Sequence, residues 1–282
     1  MLNLTRPEGT KPEDLHLTRR TAVSMFFAGY AVAAVAADAA PITTPATGLV
    51  IEEVLVPNGA AKPLPGYVAR PAGKGRHAAV IVVNEIFGVH DYIKDICRRL
   101  AKAGYVAIAP EFFYRSGVNL PALTDFKQIM PIVAQATAPQ VDGDVRATSA
   151  WLKGRSFAKP DAIGITGFCW GGSVVWRAAI VDPDIRAGVA WYGRLGGLPE
   201  RAGELHAPVL GLYGALDQGI PQTEVAAMSA ALVKAGKKGS SIHVYADAPH
   251  GFHADYRDSY READAKDGWA RLLRHFRVNG VA

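Results

Sequence analysis

Gly167-Phe168-Cys169-Trp170-Gly171 lies between a stretch that reads as a buried strand, 161–166 (DAIGIT), and one that reads as a helix running to about Ile180. A glycine two residues either side of a nucleophile, between strand and helix, is the pattern of a sharp nucleophile elbow. The turn is too tight for side chains at its flanks, and it lifts the central residue above the sheet. Here that residue is a cysteine. The helix behind it aims its first N–H groups at the sulfur, where they favour a thiolate and a developing oxyanion.

On either side of this turn, strands and helices alternate. Residues 49–56 (LVIEEVLV) and 66–70 (GYVAR) read as β segments around a Pro/Gly-rich turn, and 78–83 (AAVIVV) as a strand apolar on both faces. Asp91 is placed to cap the next helix, in which Ile93, Ile96, Cys97, Leu100 and Ala101 share one face and put Cys97 in the core. Further strands are expected at 105–109, 186–191, 208–213 and 241–245, and helices near 122–135, 141–153, 221–235 and 257–277. This alternation predicts one α/β domain over 49–282, a mostly parallel central sheet with helices on both faces.

An elbow nucleophile needs an acid and then a base, in that order along the chain, at the carboxyl edge of the sheet. Asp217, after the 208–213 strand, and His250, after the 241–245 strand, meet that requirement. Asp247 and His253 remain alternatives to them.

With these residues in place, the chain resembles the dienelactone hydrolase family (carboxymethylenebutenolidase-like enzymes of the α/β-hydrolase fold) from about residue 50 to its end. The resemblance is carried by Asn84-Glu85-Ile86-Phe87-Gly88, by the Gly-Phe-Cys-Trp-Gly-Gly elbow, by Gly214-x-x-Asp217-x-x-Ile220-Pro221 and by the His250 loop. It implies a Cys169–His250–Asp217 triad, with Glu85 contacting the resting thiol and helping to switch it on. It also implies an oxyanion hole formed by the N–H groups of Ile86 and Trp170. Arg115 matches a family arginine that binds the substrate carboxylate. A second family arginine falls here on Ala254, with Arg257 nearby to compensate, and Gly251 stands where a small hydroxyl residue is expected.

The function expected is hydrolysis of a lactone or small carboxylic ester through a thioester acyl-enzyme, without cofactor or metal, by a monomer. A dienelactone-like substrate, other neutral esters, or a non-catalytic small-molecule binding role on the same fold are the readings left open. The net charge is +5, but the 31 Lys and Arg are scattered among acids, so nucleic acid is not an expected partner. Cys97 and Cys169 are the two cysteines, and there is no CxxC or HExxH. Residues 1–39 read as a twin-arginine signal: Arg19-Arg20, an uncharged run from Thr21 to Ala37, and an Ala37-Asp38-Ala39 exit. Such a leader implies export to the periplasm. The run is shorter than the roughly 20 residues of a membrane span, so no stable anchor is expected.

Overall fold

Eight strands hydrogen-bond in the order β1-β2-β4-β3-β5-β6-β7-β8, and all pairs from β4 onward are parallel. The protein is seen here in a computed structural model that describes residues 41–282. The expected leader, 1–39, lies outside the described residues. The strands are β1 Leu49–Val56, β2 Leu64–Pro71, β3 His77–Val83, β4 Val106–Pro110, β5 Ala158–Phe168, β6 Ile185–Trp191, β7 Val209–Gly214 and β8 Ser241–Tyr245. The helices are α1 Asp91–Lys102, α2 Phe126–Gln135, α3 Ala138–Lys153, α4 Trp170–Val181, α5 Gln222–Lys234 and α6 Glu262–Val278. Antiparallel β1 and β2 extend one edge of the sheet.

The central strands are apolar because helices cover them. α1 packs on β2 and β4, α3 and α4 on β5, and α6 on β6 and β7. Val80, Ile81, Val82 and Val83 of β3 are wholly buried, as are Ile163 and Ile165 of β5. Each such side chain contributes about 1.5–3 kcal/mol by leaving water. Ile81→Ala would cost about 2–5 kcal/mol, since the close-packed strand cannot collapse into the space. Cys97 lies in this core, where burial pushes its thiol up.

Three local expectations shift. His90 occupies the cap position of α1, and Asp91 is its first helical residue. α2 begins at Phe126, not near 122, because Asp125 caps it by accepting from Lys127 N–H at 2.9 Å. α6 begins at Glu262, not near 257, and Tyr256 and Arg257 turn inward instead.

Candidate active site

Cys169 sits between β5 and α4 with φ 57° and ψ −116°, a strained conformation for a residue with a side chain. Its flanking glycines are required by close approach. A Cβ on Gly167 would fall 2.4 Å from the Gly171 carbonyl oxygen, and one on Gly171 would fall 2.5 Å from that of Val83. The second contact presses the start of α4 against the end of β3, the chain that leads to Ile86. Trp170 is the first residue of α4, where backbone N–H groups have no intrahelical acceptor. Cys169 N–H donates to Trp191 O at 3.0 Å, which ties the elbow to β6.

His250 and Asp217 meet at this elbow. His250 Nδ1 lies 2.7 Å from Asp217 Oδ2, while Asp217 Oδ1 accepts from Gly219 N–H at 2.8 Å and Ile220 N–H at 3.1 Å. The carboxylate is thus held on both oxygens and orients the ring. Their loops are joined through the backbone: Ala215 N–H donates to Tyr245 O at 2.8 Å and Leu216 N–H to Ala248 O at 3.1 Å. Burial alone would depress the imidazole, but the Cys169 sulfur, which hydrogen-bonds to it, and Asp217 together hold it up at about 10. All three residues are buried, Cys169 to 1% exposure.

The two alternatives lie elsewhere. Asp247 is exposed on the surface. His253 is buried against Phe168, Trp191 and Trp269, with Nδ1 2.7 Å from the Tyr92 hydroxyl. Burial pushes it down to about 3, so it stays neutral.

The carboxylate of Glu85 is wholly buried, and its partners are Tyr256, whose hydroxyl donates to Oε2 at 2.6 Å, Arg257 at 3.2 Å and His90 at 3.4 Å. Burial would raise this carboxyl, but Arg257 foremost, then His90 and Tyr256, hold it down at about 2. Arg257 is 3% exposed, also binds the Tyr256 hydroxyl at 2.8 Å, and lies 5.0 Å above the Phe87 ring. So Arg257 brings a cation into the site, as Ala254, buried in the core, does not.

Arg115 is engaged elsewhere. Both arms of its guanidinium donate to Asp144 at 2.7 Å, and Asp144 is wholly buried. The fork expected to receive a substrate carboxylate is already filled. Sequence reasoning missed Tyr256, His90 and Tyr192. Of these, Tyr192 alone left a signal, as the residue directly after β6 at the sheet's carboxyl edge. A cavity of about 830 Å³ lies on the β2–β4 side, but it meets this cluster only at His90, and neither Cys169 nor His250 lines it.

The sequence matches the model of the dienelactone hydrolase family over residues 64–279. It is 47% identical over 281 residues to a Methylorubrum extorquens protein named "Putative carboxymethylenebutenolidase", covering 94% of each chain. It is 33% identical to a Bradyrhizobium protein named "Probable 2-oxo-3-(5-oxofuran-2-ylidene)propanoate lactonase", covering 75% of this chain and 88% of that one. Among solved structures, a "Putative Dienelactone Hydrolase" from Klebsiella pneumoniae superposes with TM-score 0.77 at 41% identity, covering 81% of this chain and 98% of that one.

Proposed function

Because this chain belongs to the dienelactone hydrolase family, and so is a lactone or ester hydrolase of the α/β-hydrolase fold, we propose that it works by acyl transfer to Cys169. The thiolate attacks the substrate carbonyl, and the N–H groups of Ile86 and Trp170 hold the oxyanion. The carbon–oxygen bond breaks, the departing oxygen takes the proton held by His250, and a thioester remains. Water then gives a proton to His250 and adds to the thioester, which releases the acid and restores the thiol. Asp217 keeps the imidazole in the tautomer and orientation this needs.

The observation that carries this reading is the buried chain Asp217–His250–Cys169, with the ring held by Asp217 at 2.7 Å and bonded to the sulfur. A thiolate suits lactones and activated esters, whose leaving groups are good, better than amides. A carboxylate-bearing lactone is favoured by one observation: the buried Arg257 cation, whose Nε–H has no hydrogen-bond partner among the described residues. A substrate carboxylate would accept from that N–H.

The test is hydrolysis across a panel of lactones with and without a free carboxylate, combined with mass spectrometry of quenched reactions. An acyl group on the peptide bearing Cys169 is the expected result. Turnover with no such adduct, and undiminished in Cys169→Ala, would overturn the nucleophile.

A further inference from the structure

Tyr192 has no part in the mechanism above, yet its side chain belongs to the same cluster. It follows β6 directly, with a left-handed φ of 38°, and its N–H donates to Leu212 O at 2.8 Å. A non-glycine residue in that region is strained, and such strain gathers where a side chain must be aimed. The residue is wholly buried, its ring edge-on to His250 at 5.1 Å and to Phe252 at 5.3 Å. Its hydroxyl is a buried polar group with no hydrogen-bond partner among the described residues. A buried hydroxyl without a partner is costly, and in a native structure it calls for a ligand or a function.

Glu85, Arg257, Tyr256 and Cys169 all act on the hydroxyl electrostatically. Burial, the largest influence, holds the phenol well above its ordinary value, so it keeps its proton throughout the working range. The group is thus a neutral donor, carried on a ring packed against His250 and lacking an acceptor among the described residues.

We propose that Tyr192 is a further catalytic residue, which donates its hydrogen bond to the departing oxygen of the ester or lactone while the acyl group passes to Cys169. The proposal rests on the reading of Cys169 as nucleophile. The carbonyl oxygen has its own donors in Ile86 and Trp170. The departing oxygen must instead lie beside His250, which protonates it, and the Tyr192 ring packs against that imidazole. As the sulfur–carbon bond forms and the carbon–oxygen bond breaks, the electron pair moves onto the departing oxygen. That oxygen takes its proton from His250 and accepts the Tyr192 O–H on its other lone pair, and the phenol keeps its own proton. Such help matters little for a nitrophenolate and much for a basic alkoxide. Tyr192 would therefore extend the enzyme from activated esters to alkyl esters and saturated lactones.

The experiment compares wild type, Tyr192→Phe and Cys169→Ala on acetate esters of graded leaving groups, from p-nitrophenyl to ethyl, with Tm recorded for each protein. Tyr192→Phe should lose roughly 10- to 100-fold in kcat/KM on the ethyl ester and no more than about threefold on the nitrophenyl ester. Its Tm should hold or rise, because no folded-state hydrogen bond is lost. Equal losses on both esters, no loss on either, or a lowered Tm with uniform loss would overturn the role of Tyr192. Hydrolysis that survives Cys169→Ala would overturn the nucleophile itself. Cys169→Ala inactive, with Tyr192→Phe unaffected across the series, would overturn Tyr192 alone.

Discussion

Replacing Arg257 with methionine removes one member of a buried ion pair and keeps most of the side-chain volume. Glu85 is wholly buried and Arg257 is 3% exposed, with 3.2 Å between Nη2 and Oε1. Removing one partner of such a pair strands the other, at a cost of about 3–5 kcal/mol. For a domain of this size that is a fall in Tm of about 6–20 °C at neutral pH. The pH dependence distinguishes this cause from general misfolding. In wild type the Glu85 carboxyl lies at about 2 against its ordinary 4.5. A depressed carboxyl contributes stability above its unfolded value, here roughly 3 kcal/mol, and that stability is lost as pH falls from 4.5 toward 2. Without Arg257 the foremost influence holding the carboxyl down is gone, so the carboxyl rises and the variant lacks much of that stability. Urea unfolding of both proteins between about pH 3 and 7 should show a gap that widens with pH. Glu85→Gln combined with Arg257→Met should recover most of the loss. A gap that does not change with pH, or a double variant no more stable than Arg257→Met, would refute this account of the pair.

Cys169→Ala and His250→Ala should each lower kcat for ester hydrolysis on the order of a thousandfold or more, with Asp217→Asn costing as much or somewhat less, as steady-state kinetics would show. Arg115→Ala should destabilise the fold by about 3 kcal/mol in urea titrations, since it strands buried Asp144. It should also lower hydrolysis of carboxylate-bearing and neutral substrates alike, and a loss confined to the former would restore Arg115 as a substrate ligand. We propose export by the twin-arginine route. On that proposal a double Arg19→Lys, Arg20→Lys variant should remain unprocessed in the cytoplasm, and N-terminal sequencing of exported wild type should begin near residue 40.

The strands were legible where burial leaves a local mark. β3 is a continuous apolar run from residue 78 to residue 83 because it is buried on both faces. The elbow was legible because close approach of three backbones admits only glycine at 167 and 171. Asp217 and His250 could be placed because both follow parallel strands, and parallel strands deliver their loops to one edge. The environment of Glu85 could not be read in this way, since Tyr256 reaches it across 171 residues of sequence. The same contact accompanies the later start of α6, at Glu262 instead of near 257: Tyr256 and Arg257 are drawn toward Glu85. The pairing of Arg115 with Asp144 could not be read either, since the two lie 29 residues apart in sequence.

Gly214 has a consequence for how this enzyme can change over generations. A Cβ there would lie 2.1 Å from the Ala248 carbonyl oxygen, so the loops bearing Asp217 and His250 touch main chain to main chain. The spacing of acid and base therefore depends on peptide units, which nearly every substitution leaves alone. The residues gathered around Glu85, such as Arg257, Tyr256 and Phe87, come from other segments. Lineages can exchange those residues while Asp217 and His250 keep their geometry. The one position in that joint that cannot drift is the glycine itself, where even alanine would separate the two loops.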